Sequence, residues 1–391
     1  MKICDLTQFY SPVSGGVKRY LAEKVRYLRE HAPGDEHILI IPGAKDECVR
    51  EEAHRVYTIR SPLLSRTSQY RALLRLEAIE RILERERPDI IESGDPYQVG
   101  WKAVHSGRGL EIPVVGFYHS HFPEAYLRSA QKFLGKTATE FMLDLSRRYV
   151  RSLYSSFART MVPSPALAEV LRGWGVPRVV TTDLGVDGTI FHPDDASREA
   201  QRERLRVAAD EKLLLYVGRL AMEKNTHTLF AAYRQVARLE PRARLMVIGD
   251  GLQRAELDEL RAEHPEVRWL SYCGDPRELA DYYRAADLFV HPGVQETFGL
   301  VTLEAQACGT PVVGIRGSYM DRIIYGGQEN WAGANTAPAL AEAIVRSLSV
   351  RIDRAALAAE MTKRYSWRKV FDGLFDLYRE VISEYRSAPH E

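Results

Sequence analysis

Two glutamates with seven residues between them, Glu296 and Glu304, frame the stretch richest in chemistry, HPGVQETFGLVTLEAQACGTPVVG at residues 291–314. A strand should end near Pro292, a glycine-containing loop should follow, and a helix should begin around Phe298 to Leu300 and stop at Gly309. The first amides of a helix lack partners within it and sit at the positive end of its dipole, so this start is a natural seat for a phosphate. Glu296 lies just before the helix. Glu304 lies five residues beyond Gly299, about 7.5 Å along the axis, so two carboxylates flank one anion seat. As acceptors they suit sugar hydroxyls at two places on one ligand, a transferred hexose and a nucleotide ribose. Two solvated glutamates on a helix end would be the plainer reading.

Other residues point the same way. LLLYVGRLAMEKN, residues 213–225, reads as a buried strand ending at Gly218, followed by Arg219 and, five residues on, Lys224. Both cations fall at the carboxyl end of a strand, where a diphosphate would lie; Arg can grip it bidentately and Lys acts as a point charge. The alternative is a surface pair with Glu223. Gly15 and Gly16 follow the first strand and open a helix, so backbone can approach a phosphate closely there. His119, in YHSHFPEAYL at residues 118–127, follows another strand of the first half and by itself reads equally as a structural histidine.

The elements that must position these residues alternate. Strand-like runs at Ile3–Thr7, Ile38–Pro42, Ile90–Glu92, Val114–Tyr118 and Thr160–Pro163 are separated by helical patterns such as Val17–Arg29 and Gln69–Glu86. The pattern then restarts. Strands are expected at Leu213–Gly218, Arg244–Gly249, Val267–Tyr272, Leu288–Pro292 and Pro311–Ile315. Helices are expected at Thr226–Arg238, Leu252–Glu263, Pro276–Ala286 and Leu300–Ala307. This is an α/β chain of two doubly wound, Rossmann-like units joined near Leu184–Asp210, with a ligand expected in a cleft where they face.

Composition bounds the partners. At 391 residues the chain has room for two or three domains, and 45% hydrophobic with 27% charged residues is ordinary for a globular protein. A net charge of +1 argues against a nucleic-acid binder. The total hides an asymmetry: residues 1–180 hold 27 Lys/Arg against 21 Asp/Glu, or +6, and the remainder 27 against 32, or −5. The basic stretch Tyr126–Arg159, with Arg128, Lys132, Lys136, Arg147, Arg148 and Arg151 among apolar residues, can attract an anionic membrane or be a solvated helix face. Four scattered cysteines suggest neither a disulfide framework nor zinc. The expected setting is cytoplasmic, with any membrane contact peripheral, on the inner face of the cell membrane.

Taken in order, the SGGV turn at 14–17, GRLAMEKN at 218–225, VIGDG at 247–251, ETFGLVTLE at 296–304 and EAQACGTPVVG at 304–314 resemble the retaining glycosyltransferases of family 4, which have the two-domain GT-B fold. The likeness runs over nearly the whole chain. It implies that Glu296 contacts the transferred sugar, Glu304 the ribose, Arg219 and Lys224 the diphosphate, and Gly16 the phosphate from the opposite domain, with amides of Phe298, Gly299 and Leu300 holding phosphate and sugar. Gly15, Gly218 and Gly249 fall in the same donor-binding motifs, and His119 would act against the donor sugar. The HSHFPE run is most similar to lipid-directed mannosyltransferases and sulfolipid synthases. One departure is IRGSYMDRIIYGGQENW at 315–331, where many members carry a Gly-Gly turn and an acidic residue.

The resemblance also implies domains at 1–184 and 185–365, with a helix from Tyr365 to Glu384 crossing back so that about 366–391 belongs to the first. The expected activity moves a hexose from a nucleoside diphosphate sugar to a hydroxyl acceptor with retention, mannose from GDP-mannose being favoured and a lipid being one candidate acceptor. No Asp-x-Asp triplet occurs, so neither a metal nor a bound cofactor is expected. Rivals are a UDP-hexose-dependent transferase for a soluble glycan or metabolite, a silent sugar-nucleotide-binding protein, and an epimerase or phosphorylase on the same fold. A nicotinamide dehydrogenase lacks its G-x-G-x-x-G here.

Overall fold

Parallel strands covered on both faces read as near-continuous apolar runs, and the runs above become strands for that reason. The computed structural model describes residues 1–10, 15–64, 69–119, 121, 135–320 and 322–388. Two units emerge, one from described residues within 1–121, 136–184 and 367–388, the other from Gly135 and those within 185–366.

The first unit holds β1 (Lys2–Leu6), β2 (Glu36–Gly43), β3 (Glu47–Glu51), β4 (His54–Arg60), β5 (Ile90–Ser93), β6 (Val114–Phe117), β7 (Arg159–Val162) and β8 (Val179–Thr181). They form one sheet in the order β3-β4-β2-β1-β5-β6-β7-β8, parallel except for β3 against β4. Cys4 stands in register with both Ile38 and Ile91, at the buried centre. Strands β3, β4 and β8 lie outside the sequence expectation. All five residues of β3, ECVRE, are exposed on a sheet edge where charges prevent further pairing. The helix expected over Gln69–Glu86 begins only at Leu76, because Gln69 is left-handed at φ 57° and Arg71 bridges back to Leu63.

The C-terminal helix Trp367–Ser387 packs in this first unit. Tyr27 of the helix Gly16–His31 meets Phe371 and Phe375 at ring-centroid distances of 5.5 and 5.0 Å. Beneath them Lys24, fully buried, donates to Asp5 Oδ1 (2.8 Å), Glu92 Oε2 (3.1 Å) and the Tyr378 hydroxyl (3.1 Å), and Tyr378 in turn donates to Glu92. Such a buried charge persists only with its partners, and removing one typically costs about 3–5 kcal/mol. The helix does not begin at Tyr365 as expected. Ser366 is extended and bridges Val186, so it divides Arg354–Tyr365 from Trp367–Ser387.

The second unit holds β9 (Lys212–Val217), β10 (Ala243–Ile248), β11 (Arg268–Leu270), β12 (Leu288–His291), β13 (Val312–Ile315) and β14 (Trp331–Ala332), all parallel, in the order β11-β10-β9-β12-β13-β14. Its core gathers Leu214, Tyr216, Leu229, Val247, Leu288, Val290, Val313 and Ile344 among others. Helix starts are marked as the chemistry requires: Asp275 caps Pro276–Ala285 through Arg277 N, and Thr336 caps Ala337–Leu348 through Ala339 N.

From β9 the sheet grows one way through β10 to β11, and from β12 the other way through β13 to β14. The strand order therefore reverses between β9 and β12. Open α/β sheets take their ligands beyond the carboxyl ends of the strands at such a reversal. The first sheet reverses in the same manner between β1 and β5.

Candidate active site

In the second unit the reversal brings together loops that are 72 residues apart in sequence. Lys224 ends a short 3₁₀ turn, Met222–Lys224, after β9, and its Nζ pairs with Oε2 of Glu296 in the loop after β12. The turn is held by Asn225, left-handed at φ 58°, whose Nδ2 donates to the carbonyl of Pro292 and to Oδ1 of Asn335, each at 2.8 Å. Asn225 thus ties the Lys224 loop to the end of β12. Burial alone would push the Glu296 carboxyl up, but Lys224 beside it, with His291 and Arg219 in range, holds it below the usual carboxylate range.

Arg219 sits at the mouth of this loop. Its side chain is 61% exposed, and Nη2 pairs with Glu223 at 3.0 Å, the surface partner that the sequence offered as the alternative. Gly218 and Gly249 explain how two loops pass so closely: Gly249 has φ 142°, and a Cβ there would lie 1.9 Å from the Gly218 carbonyl oxygen. The Gly249 carbonyl accepts from Trp269 Nε1 at 2.8 Å.

The helix forms at Leu300–Ala307, with Gly299 as its left-handed N-cap at φ 78°. A Cβ on Gly299 would meet Met320 Cε at 2.5 Å, so the segment that departs from the family pattern packs directly under the helix start. None of the amides of Phe298, Gly299 and Leu300 donates to another described residue. They are the orphan donors that every helix start leaves. Glu304 takes a different place from Glu296. It is 1% exposed, and its Oε2 accepts from the Tyr283 hydroxyl at 3.1 Å.

In the first unit, Gly15 (φ 109°) caps the helix Gly16–His31 just beyond β1, and Lys18 and Arg19 lie in its first turn. A helix N-terminus favours anions, so cations there suit a site that receives one. His119 follows β6, and its Nε2 donates to the carbonyl of Gly94, just past β5, at 2.7 Å. That bond fixes the ring and places its proton on Nε2; burial pushes the imidazole below its ordinary range. Phe9 packs edge-on to His119 at 6.1 Å. Ser14 of the SGGV turn and the FPEAYL part of the histidine run lie outside the described residues. Asn225 and Tyr283 carry no signal that spacing could reveal, because each acts through partners remote in sequence.

Residues 197–364 match the family model described as Glycosyl transferases group 1, and residues 14–189 match that described as Glycosyltransferase Family 4. The sulfoquinovosyl transferase SQD2 of Arabidopsis thaliana is 32% identical over 90% of this chain and 68% of its own. A GDP-mannose-dependent alpha-(1-6)-phosphatidylinositol dimannoside mannosyltransferase of Mycobacterium tuberculosis is 30% identical over 94% of this chain and 93% of its own. Among solved structures, sucrose-phosphate synthase from Thermosynechococcus elongatus superposes with a TM-score of 0.77 at 21% identity, covering 98% of this chain and 100% of that one. Its architecture is the GT-B fold found here.

Proposed function

This chain belongs to glycosyltransferase family 4 and takes a glycosyl group from a nucleotide sugar, and we propose that it transfers a hexose, with mannose from GDP-mannose as the leading donor, to a hydroxyl acceptor with retention. The observation that carries this reading is the Lys224–Glu296 pair at the strand-order reversal, beside three helix-start amides with no described acceptor. In the proposed division Lys224 and Arg219 neutralise the departing diphosphate, the amides of Phe298, Gly299 and Leu300 seat it, Glu296 holds the hexose and Glu304 the ribose. Gly15 and Gly16 suit a close approach of backbone to a phosphate, and His119 suits contact with a hexose. The acceptor hydroxyl forms the new bond to the anomeric carbon on the face from which the carbon–oxygen bond to phosphate breaks, and its proton passes to the leaving phosphate oxygen. Preorganised charge of this kind is worth about 3 kcal/mol per donor, and it needs no metal in this scheme.

A lipid acceptor is supported by the relative named for phosphatidylinositol dimannoside and by the helix Lys136–Tyr154, which exposes Phe141 (70%) and Leu145 (60%) one turn apart. Among the described residues no helix is long and apolar enough to cross a membrane, and the contact proposed is peripheral.

The test is a donor screen by mass spectrometry. GDP-mannose, UDP-glucose and other UDP-hexoses are each offered with anionic phospholipid vesicles and with soluble sugars, with and without EDTA. GDP-mannose should give product on lipid, unchanged by the chelator. Product from a UDP-hexose alone would overturn the donor assignment, and product on soluble sugars alone would overturn the lipid one. Nucleotide binding without any product would mean a silent sugar-nucleotide-binding protein.

A further inference from the structure

His291 is the last residue of β12, and its side chain is 5% exposed. Strand alternation sets its direction. Leu288 and Val290 point into the hydrophobic core, so Phe289 and His291 point to the opposite face. On that face Phe289 packs edge-on to Tyr283 at 5.8 Å, and Tyr283 holds Glu304. His291 therefore stands two residues nearer the carboxyl end of the sheet on the face that carries Glu304, within the field of both Glu296 and Lys224. Its Nδ1 is buried and has no hydrogen-bond partner among the described residues.

Buried polar atoms in folded proteins are nearly always paired, and an exception at a ligand site asks for the ligand. Burial pushes the imidazole down to about 4, so the ring is neutral near pH 7, with one N–H and one lone pair. A neutral ring nitrogen that either donates or accepts matches a hydroxyl, which does both, whichever tautomer is present. Gly293 keeps the space beside the ring open: a Cβ there would come within 3.2 Å of His291 Cε1.

We propose that His291 is a further sugar-contacting residue of the donor site, its Nδ1 hydrogen-bonding a hydroxyl of the hexose to be transferred. The inference rests on the proposed reading of Glu296 and Lys224 as the donor site. It separates His291 from the groups that hold nucleotide and diphosphate, because its partner is present in the sugar nucleotide and absent from the nucleoside diphosphate.

Calorimetry with GDP and with GDP-mannose tests it, or with UDP and UDP-hexose if the donor screen selects that pair. Wild type, His291→Leu, His291→Asn and Gly293→Ala are compared, each checked for folding by circular dichroism. His291→Leu should bind the nucleoside diphosphate as wild type does and bind the intact donor about tenfold more weakly, on the order of 1.4 kcal/mol. His291→Asn, which keeps a polar atom near Nδ1, should recover most of that loss. Gly293→Ala, which crowds the ring without removing it, should weaken the intact donor alone by a smaller factor. Equal weakening of nucleoside diphosphate and intact donor, or wild-type donor affinity in folded His291→Leu, would overturn the proposal. If His291→Leu does not fold, the Asn and Ala variants decide it: unchanged donor affinity in Gly293→Ala, or weakening of nucleoside diphosphate and intact donor by the same factor in either variant, also overturns it. Failure of wild type to bind any nucleoside diphosphate would instead remove the donor-site reading itself.

Discussion

The hydroxyl of Tyr283 donates to Oε2 of Glu304 at 3.1 Å, with both side chains buried. A carboxylate in that position is oriented before any ligand arrives. If Glu304 serves the ribose, Tyr283 is its positioning residue, and Tyr283→Phe should weaken nucleoside diphosphate binding by a factor of about ten or more, the worth of one hydrogen bond to a charged group. Glu304→Ala should weaken it further, whereas Glu296→Ala should spare the nucleotide and damage transfer. Calorimetry with the nucleoside diphosphate checks all three, and equal affinity loss in the Glu296 and Glu304 variants would contradict the division of roles.

Lys224 and Arg219 should not be equivalent. Lys224 is paired with Glu296 in the loop after β12, while Arg219 is largely in water and bound to Glu223. Lys224→Ala should lower kcat/KM at least about a hundredfold and Arg219→Ala about tenfold, as loss of a preorganised and of a screened cation would. Steady-state kinetics on folded variants measures the ratio. Wild-type turnover in the double alanine variant would eliminate both assignments.

How far the sequence reached follows from the same geometry. The central strands were legible because β1, β5, β9 and β12 are buried on both faces and are mostly apolar, with Asp5 of β1 and Glu92 of β5 the buried acidic exceptions that Lys24 neutralises. β3 was hidden by its exposed charges, and β14 is two residues long. At the site, Arg219, Lys224, Glu296 and the helix start at Leu300 could be named from local pattern. That Lys224 reaches Glu296, and that Glu304 turns inward to Tyr283, depends on strand order and helix packing, which no spacing encodes. A histidine at the end of an apolar run, as His291 is, looks like any core histidine until its unsatisfied nitrogen is seen.

Asp95, just past β5 in the first unit, is fully buried and accepts from Tyr97 N at 2.8 Å and from Gln8 N and Nε2 at 3.3 Å. Burial outweighs these bonds and pushes its carboxyl up to about 6, from an unfolded value near 3.8. Between those values the folded chain holds a proton that the unfolded chain has released, so this group's contribution to stability falls as pH rises from about 4 through 6. The full change is on the order of 3 kcal/mol. Urea unfolding of wild type and Asp95→Asn at pH 4, 5, 6 and 7 isolates it: the difference between the two should move in favour of the Asn variant with rising pH. A constant difference would mean that Asp95 titrates alike in the folded and unfolded chain.

The side chains of the helix Lys136–Tyr154 decide which substitutions can test membrane docking. Charge reversal at Arg147 is a poor probe, because Arg147 lies 5.7 Å over the Trp174 ring, and Arg148 is paired with Asp144 at 2.9 Å. The part of the basic stretch from Tyr126 to Leu134 lies outside the described residues. Phe141 and Leu145 are the most exposed large apolar groups of this helix, and burying each in the acyl boundary would contribute about 1.5–3 kcal/mol. Each basic residue held near an anionic surface would add about 1 kcal/mol, screened by salt. Sedimentation with anionic liposomes should therefore fall at high salt in the wild type, and fall at every salt concentration in Phe141→Ser/Leu145→Ser. Transfer to a soluble hydroxyl acceptor should stay at the wild-type rate in that variant, because neither residue belongs to the donor site. If the double variant sediments as wild type does, the helix is a solvated face and membrane contact, where present, comes from another part of the chain.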